Sequence, residues 1–162
     1  MLSIITAIEQ LKSKRPNLII GYTSGVFDLT HQGHADYLKA CKQRCDILVL
    51  GIDSDTLVKN AKGIHRPIQT AKDRIQAIVG QADYCFEKEH PSFYYTKHLQ
   101  PDYYFISKER EIHSEKITKI SSTNNFKDII YIERNQKFST TKTINLLNAV
   151  ALQRAIHSTN SP

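Results

Sequence analysis

The sequence predicts an α/β protein built on a parallel sheet of five strands with helices on both faces. Short apolar runs of strand length alternate along the chain with segments of helical periodicity, which is the pattern of parallel sheets. The run DILVLGI (46–52) is apolar almost throughout, as is typical of a strand buried on both faces. The chain has 162 residues, of which 40% are hydrophobic, and this is enough for one domain with a substantial core.

Helices are predicted from apolar spacing and from residue types that favour helix starts. The first carries isoleucine and leucine at intervals of three and four residues, so one of its faces is apolar. Thr70 is a candidate cap for the third helix, and Pro91 lies in the first turn of the fourth. The predicted helices cover residues 3–14, 33–44, 70–80, 91–99, 112–120 and 140–156.

Strands are predicted between these helices, together with one basic loop. The predicted strands cover residues 17–22, 46–52, 83–86, 103–106 and 129–132. Residues 59–67 combine lysine, glycine and proline, which favours an exposed loop. We expect a single domain over residues 1–157 and a frayed C-terminal tail over 158–162.

Charge and cysteine content narrow the class of protein. The chain has 22 lysines and arginines against 16 aspartates and glutamates, a formal net charge of +6 that favours anionic partners. The basic residues are scattered, so we expect no nucleic-acid partner. No apolar run is long enough to span a membrane, the first residues lack a basic leader, and three cysteines favour packing over a disulfide framework. We therefore expect a cytoplasmic protein that does not associate with membranes.

Two histidines lie close together where the first strand gives way to a helix, and three interpretations compete. In the first, one histidine caps the helix and the other is exposed. In the second, His31 and His34 bind a metal, with His65 as a third ligand only if folding brings it close. In the third, Gly33 lets the backbone approach a polyphosphate, while the helix start and the two imidazoles supply N–H donors. Only the third accounts for the glycine, the histidines and their position together.

The stretch GVFDLTHQGH (25–34) resembles the G-x-F-D-x-x-H-x-G-H signature of the cytidylyltransferase-like nucleotidyltransferases, with six fixed residues at the same spacing. The resemblance implies a Rossmann-like fold in which His31 and His34 contact the triphosphate of ATP or CTP. It also implies a nucleotide-binding role for the rest of the stretch, in which Phe27 belongs to the core and Asp28 fixes the loop. The residues concerned are Gly25, Phe27, Asp28 and Gly33.

The family's second signature, R-T-x-G-I-S-T-T, is similar to RNQKFSTT at residues 134–141. Lys137 and Phe138 replace the signature's glycine and isoleucine. Hydroxyls at a helix start either cap the helix or bind an anion, and the companion arginine favours phosphate binding here. The matching residues are Arg134, Ser139, Thr140 and Thr141.

A similar serine-threonine cluster, ISST at residues 120–123, precedes a predicted strand instead of a helix. It therefore lacks the positive helix end that an anion site uses. We interpret Ser121 and Ser122 as part of a turn.

The basic loop resembles the K-G-x-x-R-P run of the sugar-phosphate adenylyltransferases in the same superfamily. The resemblance implies that Lys62 closes on the α-phosphate as pyrophosphate leaves, with Lys59 as the fallback candidate. Arg66 becomes a candidate contact for the acceptor or a phosphate. Arg74 matches a helical arginine of the family, and a structural ion pair is as good an interpretation as a substrate contact. A plain basic surface loop remains the alternative for the whole run.

A third family feature follows the dipeptide Pro-Asp and a strand, where relatives have a glycine-containing segment and an aspartate near the nucleotide. Glu109 takes the place of that aspartate, which makes it a candidate contact. Ser107 and Lys108 stand where small residues are usual in the family.

The resemblance implies that the chain transfers AMP or CMP from ATP or CTP to a small phosphorylated sugar or polyol and releases pyrophosphate. Mg²⁺ would bridge phosphate oxygens with few protein ligands, so no protein metal site is expected. Heptose-phosphate adenylyltransferase domains are the most similar group, glycerol-3-phosphate cytidylyltransferase comes second, and homodimers are common in the family. An inactive nucleotide-binding protein of the same fold is the alternative from a different functional class.

Overall fold

The computed structural model describes residues 1–110, 114–122, 126–133 and 144, over which strands and helices alternate. The helices are α1 (Leu2–Lys14), α2 (Gln32–Lys42), α3 (Asp55–Lys62), α4 (Ala71–Gln76), α5 (Ser92–Leu99) and α6 (Ser114–Ser122). The strands are β1 (Ile20–Gly25), β2 (Ile47–Asp53), β3 (Tyr84–Lys88), β4 (Tyr103–Ser107) and β5 (Asp128–Ile132). A 3₁₀ turn, Lys108–Arg110, follows β4.

In the described part of the chain, five strands form one parallel sheet in the order β3-β2-β1-β4-β5. This confirms the predicted fold class. The chain builds β1, β2 and β3 outward in one direction and then returns to place β4 on the other side of β1. The strand order therefore reverses between β1 and β4, which is where doubly wound sheets bind their ligands.

Two apolar clusters cover the two faces of the sheet. Ile8 of α1, Leu99 of α5 and Ile120 of α6 pack on one face, against side chains such as Ile20. On the other face, Leu38 of α2 packs with the second set of strand residues and with side chains from the α4 region. Burial on both faces explains why β2 is apolar almost throughout.

Aspartates immediately before three strands connect the amino ends of the sheet. Each side chain accepts a backbone N–H from the neighbouring strand or the residue before it. The pairs are Ile19 to Asp46 at 2.8 Å, Leu48 to Asp83 at 2.7 Å and Ile20 to Asp102 at 2.8 Å. In each pair the aspartate N–H donates back to the carbonyl of the same partner. These reciprocal bonds help to set the strand register.

Asp102 allows a prediction about acid stability. Burial by itself raises the pKa of Asp102. The Ile20 N–H and the ammonium groups of Lys127 and Lys12 lower the pKa by more than burial raises it, so the net shift is downward. A carboxylate with a lowered native pKa stabilises the fold above its unfolded pKa and loses that contribution as pH falls through the native value. We expect Asp102→Asn to cost about 1–2 kcal/mol at pH 7. Urea denaturation should show this cost shrinking below about pH 4.

The control for this prediction is Asp128→Asn, because the Asp128 side chain is exposed and accepts the N–H of the next residue, Ile129. Asp128→Asn should change the free energy of unfolding by less than about 0.5 kcal/mol, both at pH 7 and below about pH 4. A cost for Asp102→Asn that does not change with pH would contradict the role assigned to the charge.

The three cysteines are free, as the sequence predicted. Cys41 is fully buried in α2, and burial raises the pKa of its thiol to about 12. Burial also raises the pKa of Cys45 and Cys85 to about 11. All three thiols are therefore protonated at neutral pH and are poor nucleophiles.

The structure corrects several predicted bounds. Residues 55–62 form α3, a helix that the sequence analysis missed, so residues 59–62 of the predicted basic loop are helical. The helix predicted over 70–80 ends at Gln76, and Gly80 follows in a turn with a φ of 84°. The strand predicted over 17–22 begins and ends later, as Ile20–Gly25, because Ile20 pairs with the first residue of β2.

The interpretation of Ser121 and Ser122 as part of a turn is wrong. Both end α6, and their hydroxyls donate to the carbonyls of Ile117 and Lys119. They lie at the carboxyl end of a helix, so they still lack the positive end that an anion site uses. The helix predicted over 140–156 falls outside the described residues except for residue 144. None of the described helices has the length and apolar character needed to cross a membrane.

Candidate functional site

The pairing of β1 with β4 stops short of their carboxyl ends, and we call the region between these two strand ends the crevice. β1 pairs with β2 along six positions, but its pairing with β4 covers only Gly21↔Tyr103 and Tyr22↔Tyr104. Beyond that point the Thr23 hydroxyl donates to the Phe105 carbonyl at 3.1 Å in place of a ladder bond. The two strands therefore separate at the position where the strand order reverses.

The first motif leaves β1 at Gly25 through a strained turn. A Cβ on Gly25 would lie 3.0 Å from the Phe27 ring, so glycine makes room for that ring. Phe27 is buried in the core, as predicted. Phe27 and Leu29 have φ values of 52° and 47°, in the left-handed region that non-glycine residues rarely adopt. Such strain persists only where the surroundings hold it, and it is frequent at functional sites.

The two histidines lie together at the start of α2. His31 is the N-cap residue, and His34 occupies the third helical position with 7% of its surface exposed. Their rings stack with centroids 4.0 Å apart, and the Phe27 ring lies 5.1 Å from that of His34. The His31 N–H donates to Nδ1 of His34 in a long hydrogen bond of 3.4 Å. Because Nδ1 accepts, the proton of a neutral His34 ring lies on Nε2, which makes Nε2 the donor.

This geometry bears on the three interpretations of the histidines. The capping interpretation placed one of them at the surface, whereas His34 is buried and His31 is half-buried. Within the described residues, no three histidine, cysteine, aspartate or glutamate side chains are grouped so as to hold a metal ion. The start of an eleven-residue helix, with the buried Gly33 at its second position, offers N–H groups and a positive dipole end. The arrangement suits an anion.

Asp28 connects this turn to the segment that follows the basic loop. Oδ1 accepts the N–H of Gln69 at 3.0 Å, and Oδ2 accepts the N–H of Ile68 at 3.0 Å. Oδ2 also lies 3.0 Å from Nη2 of Arg66. The side chain is 1% exposed. Both oxygens are thus engaged within the protein, which is the fixing role that the sequence analysis gave to Asp28.

Arg74 is a buried structural residue, and the ion-pair alternative is the one that the structure shows. Its side chain has 0% exposure. Nη2 pairs with Asp55 at 2.6 Å, Nη1 donates to the Val26 carbonyl at 2.6 Å, and Nε donates to the Gln69 carbonyl at 3.1 Å. Arg74 therefore joins the first motif, the segment after the basic loop and the start of α3.

The predicted catalytic lysine lies in α3. Lys62 occupies the last turn of this helix, Lys59 lies three residues earlier, and both are exposed. Gly63 ends the helix with a φ of 93°, and nothing lies within 4 Å of the position of a Cβ. Arg66, predicted as an acceptor or phosphate contact, is paired with Asp28. Lys62 thus stands between the fixed start of α3 and the fixed segment at residues 66–69.

The carboxyl end of β4 forms the opposite wall of the crevice. Ser107 is buried at the end of the strand, and Lys108 pairs with Glu133 at 3.0 Å. Glu109 is exposed in the 3₁₀ turn that follows β4. Its position matches the expectation of a group beyond the end of β4, and its contact with a ligand stays a prediction.

The second signature lies outside the described residues. This applies to Arg134, to the departure at Lys137, and to the predicted phosphate-binding hydroxyls Ser139, Thr140 and Thr141. Their roles stay predictions.

Sequence reasoning missed two residues that support the site. Asp55 pairs with Arg74, and the side-chain oxygen of Gln69 accepts the Leu29 N–H at 2.8 Å. The Ser54-Asp55 dipeptide is a recognisable helix start, since the Ser54 hydroxyl accepts the Leu57 N–H. Gln69 had no such local signal.

Comparison with known proteins places this fold and site in a family. A sequence model described as cytidylyltransferase-like matches residues 22–146. The bifunctional protein HldE of Helicobacter pylori (strain P12) is 42% identical over 91 residues, which are 54% of this chain and 20% of that protein. HldE of Campylobacter concisus (strain 13826) is 35% identical over 105 residues, covering 62% of this chain and 22% of that protein. The chain spans about a fifth of the length of these curated relatives.

Solved structures show the same fold. The lipopolysaccharide core biosynthesis protein from Thermoplasma volcanium GSS1 superposes with a TM-score of 0.64 at 25% identity, covering 74% of this chain and all of that one. Pantoate-beta-alanine ligase from Francisella tularensis gives 0.54 at 13% identity over 80% of this chain and 66% of that one. The chain therefore carries a nucleotidyltransferase domain and belongs to the cytidylyltransferase-like family.

Proposed function

We propose that this chain transfers a nucleoside monophosphate, AMP by preference, from a nucleoside triphosphate to a small sugar phosphate and releases pyrophosphate. The observation that carries the proposal is the histidine pair at the start of α2, beside the crevice between β1 and β4. A buried His34 whose Nδ1 accepts the His31 N–H, a half-buried His31 and a helix start form a donor set for a polyphosphate.

The reaction is an in-line displacement. An oxygen of the acceptor phosphate attacks the α-phosphorus, the bond to the bridging α–β oxygen breaks, and pyrophosphate leaves with that electron pair. The attacking oxygen is already anionic, so the protein needs no general base. Its contribution is positioning and the stabilisation of negative charge. We assign triphosphate binding to His31 and His34, and neutralisation of the charge that develops on the α-phosphate to the exposed Lys62.

The remaining contacts follow from the second signature and from the end of β4. We assign triphosphate binding to Ser139 and Thr140, together with Arg134 and Thr141. We assign to Glu109 a contact with the acceptor or a phosphate. Lys59 remains the fallback for Lys62. A homodimer is expected from the family resemblance alone.

Mg²⁺ is proposed to arrive with the triphosphate. The nearest carboxylate of the first motif, Asp28, already has both oxygens engaged with protein donors. The residues therefore fit a cation that is held mainly by phosphate oxygens and water. Such a cation would screen the negative charge of the triphosphate.

Two resemblances support ATP and a sugar phosphate. The K-G-x-x-R-P run resembles sugar-phosphate adenylyltransferases, and the family relatives are HldE proteins. The structural neighbour at 25% identity is described as a lipopolysaccharide core biosynthesis protein, which favours a sugar over a polyol as the acceptor. Glycerol-3-phosphate cytidylyltransferase activity is the nearest competing proposal.

A pyrophosphate-release screen tests the function. ATP and CTP, each with Mg²⁺, would be paired with a panel of heptose, hexose and polyol phosphates. We expect release with ATP and a sugar phosphate. Release only with CTP and glycerol 3-phosphate would replace the proposal by the cytidylyltransferase. Nucleotide binding without release from any pair would favour an inactive nucleotide-binding protein.

Thermal denaturation tests nucleotide preference independently of the acceptor. A ligand at a hundred times its dissociation constant stabilises the folded state by about 2.7 kcal/mol. For a chain of this size that corresponds to a rise in melting temperature of roughly 5–10 °C. We expect ATP with Mg²⁺ to give this shift and CTP at equal concentration to give less. A larger shift with CTP would contradict the preference for ATP.

A further inference from the structure

A network of hydrogen bonds joins two segments that are far apart in sequence, the first-motif turn and residues 66–69. Asp28 receives the N–H groups of Ile68 and Gln69 and pairs with Arg66. In return, the Leu29 N–H donates to the side-chain oxygen of Gln69 at 2.8 Å. Three hydrogen bonds and one ion pair therefore connect the turn that carries the histidines with the segment that follows Lys62.

We propose that Asp28 and Arg66 are positioning residues that set the placement of Lys62 relative to the two histidines. The inference rests on the proposed nucleotidyl transfer. It changes the role of Arg66 from an acceptor contact to a partner of Asp28. Neither residue touches the reacting atoms in this proposal.

Backbone strain supports the role of Asp28. Phe27 and Leu29, on either side of it, both have positive φ values, which non-glycine residues rarely adopt and which persist only where the surroundings hold them. The bonds to residues 66–69 are among the contacts that hold this turn. Without these bonds, we expect the turn to relax. The start of α2 and its two histidines would then no longer be held in a fixed position relative to the crevice.

Lys62 lies on the other side of the same network. The start of α3 is fixed because Asp55 pairs with the buried Arg74, and Val58 is 1% exposed in the middle of the helix. Beyond Lys62, Gly63 and His65 are exposed, and the chain is next fixed where Arg66 meets Asp28. The Asp28–Arg66 pair thus limits how far the end of α3 and the exposed residues 63–65 can move.

Because the network connects the histidine turn with the segment after Lys62, a substitution at Asp28 or Arg66 should affect the placement of both the histidines and Lys62. Arg74 donates to the carbonyls of Val26 and Gln69, so it holds the backbone on both sides of the same junction. Loss of the Asp28–Arg66 ion pair alone leaves the contacts of Arg74 in place, so we expect the variant to fold. The expected damage is a misplacement of about an ångström, which can lower turnover about a hundredfold.

The test uses Asp28→Asn, Arg66→Gln and the double variant in the full chain. Pyrophosphate release would be measured with ATP, Mg²⁺ and the acceptor found in the screen. We expect each single variant to lower kcat about 10–100-fold with KM for ATP and acceptor changed less than threefold. The double variant should lose no more than the worse single variant, because both remove one interaction. In a Lys62→Ala background, Arg66→Gln should lower kcat by a smaller factor than it does in the wild type, because Lys62 is no longer present to be misplaced.

Two results would overturn the proposal. One is an Arg66→Gln variant that raises the acceptor KM while Asp28→Asn does not, since that shows direct contact with the acceptor. The other is an Arg66→Gln effect of full size in the absence of Lys62. Because Asp28 is buried and its variant could fail to fold, Arg66→Gln, at a side chain with 16% exposure, keeps the test decisive.

Amide hydrogen exchange separates this proposal from the proposed function. The segment containing the Ile68 and Gln69 amides should exchange at least tenfold faster in either single variant than in the wild type. Lys127→Gln, which removes an exposed cation from Asp102, is the matched control and should change neither exchange in this segment nor kcat. Absence of pyrophosphate release from the wild type would refute the proposed function. Unchanged exchange in both variants would refute the network whether or not the chain turns over.

Discussion

Replacing His34 by alanine is expected to lower kcat for pyrophosphate release by roughly two to three orders of magnitude, the scale of losing one transition-state donor. We also expect the variant to be less stable, because the ring is 7% exposed and lies between those of His31 and Phe27. A cost of about 1–3 kcal/mol and a fall in melting temperature of roughly 3–10 °C are expected.

The two effects of His34→Ala are separated by measuring rates at a temperature where circular dichroism shows the variant fully folded. His31→Ala is the companion variant, since His31 is only half-buried and its loss should cost less stability. His98→Ala removes an exposed histidine of α5, a helix that packs in a different apolar cluster from α2, and should leave kcat unchanged. A folded His34→Ala protein with near-normal kcat would rule out the catalytic assignment.

Replacing Lys62 by alanine is expected to lower kcat about a hundredfold and to leave the melting temperature within about 2 °C. The ammonium is assigned to the charge that develops on the α-phosphate, and such a contact is strongest in the transition state. The side chain is exposed in the last turn of α3, so its removal creates no cavity. KM for ATP should rise less than kcat falls.

Lys59→Ala is the comparison for this prediction, because Lys59 is also exposed and lies on the same helix one turn earlier. Its effect on kcat should be less than fivefold. A larger loss from Lys59→Ala than from Lys62→Ala would move the catalytic assignment to Lys59. Equal small losses would show that α3 supplies no catalytic cation.

The sheet was predictable because its strands carry their own signal. β2 is apolar almost throughout, and helical periodicity lies on either side of it, so alternation alone gave the parallel sheet. α3 was missed because it has only eight residues, most of them polar or charged. Its stability comes from tertiary contacts, since Val58 is buried and Asp55 pairs with Arg74. Local propensity is too weak to predict such a helix.

Some features of the candidate site could also be predicted from the sequence, and others could not. The histidines and Gly33 lie within one short stretch, so their spacing and their place between strand and helix were visible in the sequence. The contact between Asp28 and Ile68 joins residues 40 positions apart. No spacing rule connects them, and Arg66 was therefore interpreted as a substrate contact instead of a partner of Asp28.

The sequence by itself determined the alternation of strands and helices and the placing of two histidines and a glycine between the first strand and the helix after it, because periodicity and short-range spacing encode both. Only the tertiary structure decided where β1 and β4 separate, since Thr23 and Phe105 are 82 positions apart. It also decided that Arg74 is a buried structural group and that Asp28 holds residues 66–69. Burial and long-range pairing set the role of a charged side chain, and these depend on which distant segments the fold brings into contact.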